Sequence, residues 1–434
     1  MASTYLTRTP STSGNGQIWT YSAWIKRSNI TDTYGTIFNA YNTSGSADTA
    51  VCVFYLLNNE LVISGSTGSA GSSPLLLRDV SAWYHIVVAF DTTQASLANR
   101  IKAYINGVQI SLNNTTYPAL NLVTPVNQND EHTIGNRRWD APTVDRYFGG
   151  LMAHVHLIDG TAYDASAFGQ TDATSGIWKP ILSPSVTYGT NGFFLKFGNA
   201  GSLGTDSSGN ANNFTLSGSG TQTLDTPSNV FATLNPLYNF YGDNTYSNGN
   251  LKIVSAGQWC GALSTLAVSQ GKYYWEIKLT GSITNHFIGV QTINVDVSTI
   301  NPQQKAGTLV LYNNDGGIIY RDNVNIGGTY GTFSSGDIAG MALDMDAGSY
   351  GQLTIYKNGT AIATNIDLSS TDNGGILPFS AINVSTQEYN FGNGYFGTTA
   401  VATPESDSAG IGKFEYSVPS GYYALCTKNI ATYG

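Results

Sequence analysis

Hydrolysis of a glycosidic bond would need two carboxylates on either side of it, about 5–5.5 Å apart for a retaining mechanism and about 6.5–9.5 Å for an inverting one. In this sequence of 434 residues the glutamates Glu60, Glu131, Glu276, Glu388, Glu405 and Glu415 stand alone. Asp344 and Asp346 share one face of a strand at i, i+2, but they close an apolar run beside a Gly-Ser loop. The acids therefore point away from an enzyme. His154-x-His156 on a strand would turn both imidazoles to one side, as a zinc site requires, yet no third ligand lies close in sequence. The residues best suited to chemistry are those of recognition. Tyr, Asn, Ser and Gly dominate the stretches Tyr41–Asp48 and Tyr238–Asn250, offering rings that stack on sugar faces and small polar groups that hydrogen-bond. Trp139, in NRRWD, is polar on both sides and is the aromatic least suited to a core. Tyr41, Tyr241 and Trp139 are the candidate ligand contacts.

These residues must be held by strands. The stretch Trp83–Ile110 reads as strand, loop, strand, tight turn, strand. Tyr84, Ile86, Val88 and Phe90 alternate on one face, with Trp83, Val87 and Ala89 on the other. Two apolar faces imply an inner strand of a two-layered structure. Ile101, Ala103 and Ile105 then alternate with Lys102 and Tyr104, and Asn106-Gly107 supplies the two positive-φ residues of a type I′ hairpin. The same order recurs over Gly336–Ala363, where Asn358-Gly359 is the turn. A Trp-bearing strand precedes each copy, Tyr21–Arg27 and Tyr273–Leu279. Two modules of one architecture are expected in tandem.

Composition agrees with an all-β chain. Charged residues are 11%, whereas Gly (49) and Tyr (27) are abundant, and no run sustains a helical period. The best helical segment is the short Asp164–Phe168, with Asp164 as N-cap. A net charge of −9, with 19 scattered Lys and Arg, lacks the basic stripe of a nucleic-acid-binding protein. The start, MASTYLTRTP, has no apolar export core, and no stretch approaches the ~18 apolar residues of a membrane span. Neither nucleic acid nor membrane insertion is expected. Cys52, Cys260 and Cys426, widely spaced and odd in number, read as buried small apolar residues made in a reducing compartment.

The blocks YSAWIKRS, WYHIVVAFD, IKAYINGVQI, TIGNR and FGGLMAHVHLIDGTAY, in that order, resemble a laminin-G or concanavalin A-like jelly roll over residues 1–182. GKYYWEIKL, HFIGV, GDIAGMALDMD, LTIYKNG and PFSAINV resemble a SPRY module over 251–400, also a concanavalin-like sandwich. The resemblance implies two tandem concanavalin A-like jelly-roll β-sandwiches, laminin-G-like and then SPRY-like. Residues 183–250, rich in Gly, Ser and Asn, would form the connector. Their apolar Phe214, Leu224, Phe231 and Leu234 make it an ordered one. Residues 401–434 would form a tail with a returning strand. Glu276 falls where SPRY modules commonly carry an acid, which implies pairing with a loop.

Lectin-like jelly rolls often bind calcium through Asp and Asn side chains and loop carbonyls, so the resemblance raises that ion as the one cofactor to consider. The candidate ligands are Asn129 and Asp130, in Asn129-Asp130-Glu131. A second oxygen-rich group, Asp206-Ser207-Ser208-Gly209-Asn210, has the form of an Asx turn.

The whole arrangement is similar to structural proteins of bacteriophages, marine phages above all. The likeness is carried by YLTRTPSTSGNGQIWTYSAWIKRS, DGTAYDASAFGQTD, the connector, the SPRY-like module and PSGYYALCTKNI. It departs from tail fibres in opening directly on the lectin-like module, without an anchoring domain or shaft. The resemblance implies a virion protein, made in the host cytoplasm and placed on the tail or capsid surface. Its first role would be a tail fibre or receptor-binding protein that touches host surface glycan, without catalysis. The alternatives are an accessory protein fixed to capsid or tail with no external ligand, and a glycan depolymerase. Other virion proteins are the implied partners. Open sheet edges, few charges and many Tyr suit self-association, with a homotrimer as first expectation.

Overall fold

Asn106 and Gly107 adopt φ of 49° and 83°, and Asn358 and Gly359 adopt 48° and 81°. Both pairs are left-handed, as a two-residue hairpin turn matched to strand twist demands. The two hairpins are also wired alike. The Asn106 N–H donates to the His85 carbonyl at 2.9 Å, and its Oδ1 accepts from the His85 N–H at 2.8 Å. Asn358 makes the same reciprocal pair with Ile338, both bonds at 2.9 Å. The flanking strands keep one order. In one sheet Ile18–Arg27, Trp83–Asp91, Ile101–Ile105 and Val108–Ile110 are successive neighbours; in another Lys272–Gly281, Ile338–Asp344, Gln352–Lys357 and Thr360–Asp367 are. The tryptophans do not follow this equivalence. With Ala23 paired to Ile86 and Ile277 to Ala339, Tyr21 occupies the place of Trp275, and Trp24 falls on the opposite face.

The computed structural model describes residues 4–42, 51–65, 68–140, 143–238, 244–255, 257, 259–283, 285–295, 305–314, 316–368 and 374–434. They divide into two units, Met1–Gln222 and Thr223–Gly434. In the first, a seven-stranded sheet runs Thr215–Ser217, Tyr5–Arg8, Glu131–Ile134, Tyr34–Tyr41, Val51–Leu57, Glu60–Gly65, Gly68–Leu76. A six-stranded sheet adds Phe193–Leu195 and Gly150–Asp159 beside the four strands ending in the Asn106 hairpin. The named strand pairs are antiparallel, and both sheets feed one core. Trp19 stacks on Phe90 with centroids 4.3 Å apart, and Tyr21 on Phe38 at 4.6 Å. As the alternation required, Ile86, Val88 and Phe90 join that core, while Val87 joins Tyr104, Ile158, Ala165 and Phe168 on the other face. Rings of this size, fully buried, each contribute about 1.5–3 kcal/mol.

The second unit repeats the plan. One sheet runs Asn244–Ser247, Lys252–Ser255, Ser385–Asn390 and then the four strands ending in the Asn358 hairpin. The other runs Cys260–Leu263, Ile376–Ile382, His286–Thr292, Thr308–Tyr312, Ile318–Arg321, Val324–Asn325. Trp275, Met341, Tyr389 and Ile288 lie in the shared core. The fold is all-β: two tandem jelly-roll sandwiches.

The stretch 183–250, expected as a connector, is divided between the units, because its apolar residues enter two different cores. Phe214 packs edge-on against Phe193, 4.7 Å between centroids, and Thr215–Ser217 extends the first unit's larger sheet. Phe231 and Leu234 are buried in the second. The tail contributes a strand and a helix. Tyr423–Ala424 pairs in parallel with Lys272–Gly281, and a helix not expected from sequence, Thr427–Tyr433, follows it. Tyr433 stacks on Tyr423 at 3.7 Å. The Asp164–Phe168 segment forms a single 3₁₀ turn, Ala165–Ala167, and the Asp164 carboxylate accepts from the Ser166 N–H. Cys260 and Cys426 are free and buried; the Cys52 side chain lies outside the described residues. Among those residues no helix is long and apolar enough to cross a membrane.

Candidate functional site

The Tyr34–Tyr41 strand carries a one-residue bulge: Thr36 pairs with Tyr55, but Phe38 with Phe54. The extra residue lets Ile37 and Phe38 both enter the core, leaving Tyr34 and Tyr55 on the outer face. Their rings lie 6.1 Å apart. The guanidinium of Arg146 sits 3.6 Å over the Tyr34 ring and 5.7 Å from that of Tyr55. Backbone bonds fix it there: the Arg146 carbonyl accepts from the Thr36 N–H at 2.8 Å. Arg146 holds φ of 52°, a left-handed conformation that a long side chain adopts only where its surroundings impose it. The next residue, Tyr147, approaches Tyr5 at 6.2 Å. Tyr34 is 36% exposed and the other three tyrosines are half-buried.

A short hairpin, Arg137–Asp140 with Thr143–Asp145, lies over this face. Arg137 grips Asp145 with two bonds, Nε–Oδ1 at 2.9 Å and Nη2–Oδ2 at 2.7 Å. Arg138 pairs with Glu131, and its carbonyl accepts from Asn39 Nδ2 at 3.1 Å. Arg146 Nε reaches Asp145 only at 4.0 Å. Burial raises the pKa of Tyr55 against the opposing pull of Arg146, so its hydroxyl stays protonated at neutral pH. A shallow cleft adjoins Tyr34, lined by Arg27, Asn29, Asp32 and Phe148 among others. Arg27 is buried beneath it, donating to Asn59 Oδ1, the Leu77 carbonyl and the Asn29 carbonyl at 2.6–2.9 Å. The face can stack on an apolar ring and donate hydrogen bonds; it brings no reactive group together.

Of the expected contacts, Trp139 lies in the backbone of this hairpin, with its side chain outside the described residues. Tyr41 closes its strand opposite Glu131, but it is buried at 8% exposure instead of displayed on a loop, because the strand extends further than the sequence suggested. Tyr241 lies outside the described residues. Sequence reasoning missed Tyr34, Tyr55 and Arg146. One signal was available: three of the chain's 19 Lys and Arg fall between 137 and 146.

The metal candidates Asn129 and Asp130 are not drawn into a ligand set. Asn129 Nδ2 donates to the Ser11 carbonyl at 3.0 Å, Asp130 accepts from His132 Nδ1 through its backbone carbonyl at 2.8 Å, and Glu131 turns to Arg138. Asp206 is an Asx scaffold. Its Oδ1 accepts from the N–H groups of Phe194 and Ser208, and Oδ2 from Ser208 Oγ and the Asn212 N–H, at 2.8–2.9 Å. Among the described residues no group of three or more His, Cys, Asp or Glu converges on a metal position.

His154 and His156 do share a face, their rings 6.5 Å apart, at a one-residue bulge where His154 has φ of 47°. His156 Nδ1 meets the Tyr188 hydroxyl at 3.0 Å and its ring stacks on Phe194. Beside them His85 Nε2 lies 2.9 Å from Ser22 Oγ. This resembles a nucleophile–base pair, but the tautomer is wrong. Trp178 Nε1, which can only donate, reaches His85 Nδ1 at 2.9 Å, so neutral His85 carries its proton on Nε2 and donates it to Ser22. Both groups are fully buried.

Three further acids, Asp344, Asp346 and Glu276, are engaged as well. Asp344 pairs with Lys272 at 2.7 Å and accepts the Asp346 N–H, while Asp346 accepts the Gly271 N–H. Glu276, fully buried, pairs with a loop as the resemblance implied. Its carboxylate accepts the N–H groups of Glu415 and Tyr416, both at 2.9 Å, and Asn390 Nδ2 at 3.2 Å.

Residues 2–166, fewer than half of the chain, match the family model described as the concanavalin A-like lectin/glucanases superfamily. Solved structures similar to the chain include the SPRY domain of human HERC1, 18% identical, covering 36% of this chain and 96% of that one, with a TM-score of 0.30. The TRIM65 PSpry domain is 14% identical over 37% of this chain and 88% of its own, with a TM-score of 0.30. A human SPRY domain is 14% identical over 36% and 95%, with a TM-score of 0.26. No curated protein matches the sequence. The chain thus carries a concanavalin A-like module over residues 2–166 and is built as two jelly-roll β-sandwiches in tandem.

Proposed function

We propose that this chain is a non-catalytic virion protein of a bacteriophage, a tail fibre or receptor-binding protein that recognises host surface glycan through the outer face of its first sandwich. The observation that carries the glycan reading is the Tyr34–Arg146–Tyr55 stack, a set of partly exposed rings flanked by hydrogen-bond donors on a lectin-like module. Sugar rings present apolar C–H faces to aromatic side chains and hydroxyls to polar ones, and this face offers both. The engaged state of Asp344, Asp346 and Glu276 supports binding over cleavage. Full-length protein on immobilised bacterial lipopolysaccharides and capsular polysaccharides is the test. Binding to at least one is expected, weakened about tenfold or more by Tyr34→Ala at unchanged circular dichroism, which corresponds to about 1.4 kcal/mol. Release of reducing ends, or binding unaffected by Tyr34→Ala and Tyr55→Ala alike, would reject the reading.

The virion setting adds an assembly. Among the described residues each sandwich has a sheet that ends in an edge strand with no further strand paired to it, Val108–Ile110 in the first and Thr360–Asp367 in the second, and neither contains Lys or Arg. A homotrimer is the proposed state. Sedimentation at micromolar concentration should give three times the chain mass; a stable monomer would restrict assembly to docking on other virion proteins.

A further inference from the structure

We propose that Arg146 makes the first sandwich selective for saccharides bearing an anionic group, a carboxylate or a phosphate ester. The inference rests on the glycan reading above and specifies its ligand class. Three observations on neighbouring residues carry it. Asp145, the acid next to Arg146 in sequence, has both oxygens taken by Arg137 in a bidentate pair, so at 4.0 Å it leaves the Arg146 fork largely unengaged. The Arg146 guanidinium carbon lies 3.6 Å from the centroid of the Tyr34 ring, a contact that occupies none of its N–H donors with an acceptor oxygen. The left-handed backbone at Arg146, with φ of 52°, is a conformation that glycine would adopt without cost, yet the position carries the one side chain able to bind an oxyanion with two parallel bonds. A sugar ring stacked beside Tyr34 or Tyr55 would bring an anionic substituent to that edge. In a chain of net charge −9, long-range steering of an anion is unfavourable, so the selectivity must be a short-range, geometric one.

Hexagalacturonate, the same oligosaccharide with its carboxyls reduced to alcohols, and a phosphorylated pentamannose serve as probes in calorimetric titrations of the full chain. The acidic hexamer should bind at least tenfold more tightly than its reduced counterpart, and the difference should shrink as salt is raised. The phosphorylated arm decides whether carboxylate or phosphate is preferred. Arg146→Gln should abolish the preference while leaving weak binding of the neutral hexamer, and Arg146→Lys should retain only part of it. Arg146→Gly should also lose the preference without lowering the melting temperature by more than about 2 °C, since glycine suits the backbone there. A purely structural arginine would show the reverse pattern. Equal binding of acidic and reduced hexamers would overturn the selectivity and leave glycan recognition standing; Tyr34→Ala without effect on either would overturn the recognition face itself.

Discussion

Lowering the pH from 7 to 5 is expected to unfold the first sandwich while the second stays folded. Four of the five histidines lie in the first unit, and burial depresses all four: His85 to about 3, His132 and His154 to about 4, and His156 well below the usual value. The groups that face them are neutral or positive. Ser22 and Trp178 bond to His85, Tyr188 and Phe194 contact His156, and Lys196 opposes protonation of both His154 and His156. His132 bonds to the Asp130 carbonyl, with Arg8 acting against its protonation. A histidine whose folded pKa is lowered binds more protons when unfolded. Its contribution to stability is therefore complete above the unfolded value of about 6.5 and falls as pH drops towards the folded value. At pH 5 each site costs about 2 kcal/mol relative to pH 7, and the four together about 8 kcal/mol, comparable with the whole stability of a domain.

The second unit should respond differently. His286, lowered to about 4, loses stability in the same way. Glu276 has the opposite sign: burial pushes it up to about 7, so its folded state takes up a proton as pH falls from 7 towards its unfolded value, and stability rises. The two effects largely offset each other. Calorimetric scans at pH 7, 6 and 5 should separate one transition into two, the lower and pH-sensitive one belonging to the first sandwich. Replacing His85 and His156 by Gln should remove about half of the pH response. A pair of transitions that shift together would disprove the assignment.

Replacing Glu276 by Ala is expected to destabilise the second sandwich by about 4 kcal/mol at pH 8 and to loosen the loop of the C-terminal tail around Glu415 and Tyr416. The carboxylate accepts the Glu415 and Tyr416 N–H groups, and it also accepts from Asn390, which in turn bonds to the Lys413 carbonyl. Truncation would leave these donors buried without acceptors, at about 1–3 kcal/mol for each that water cannot reach. Asp407 organises the rest of the tail, accepting from Ile411, Gly412, Ala424 and Asn429, so its far end should stay folded. The variant should therefore be cleaved by protease between about residues 412 and 420 before any other site. Glu276→Gln, which keeps one acceptor but sets its amide against a second donor, should fall between the two. A variant as stable as the parent, with the tail still protected, would show that the buried carboxylate does not hold the loop.

Much of this architecture is legible one strand at a time. Period-two alternation over Trp83–Asp91, the Asn-Gly pairs at 106 and 358, and Glu276 within an apolar strand are local signals, and local backbone chemistry settles what they become. The sequence by itself determined the two-sandwich plan and the equivalence of the hairpins for that reason: turn geometry and side-chain alternation involve residues only a few positions apart. The recognition face was decided elsewhere. Tyr34, Tyr55 and Arg146 meet because a bulge shifts the register by one residue and a distant hairpin folds across the strand, so no spacing in the sequence marks them as neighbours. The same holds for Ser22 and His85, whose pairing and tautomer follow from strand register and from Trp178, 93 positions away. Tyr41 and Asp130 were readable as polar-rich segments, but burial and partner choice depend on where a strand ends and on what the chain later lays against it. Those are properties of the packed sheet, and only the tertiary structure decides them.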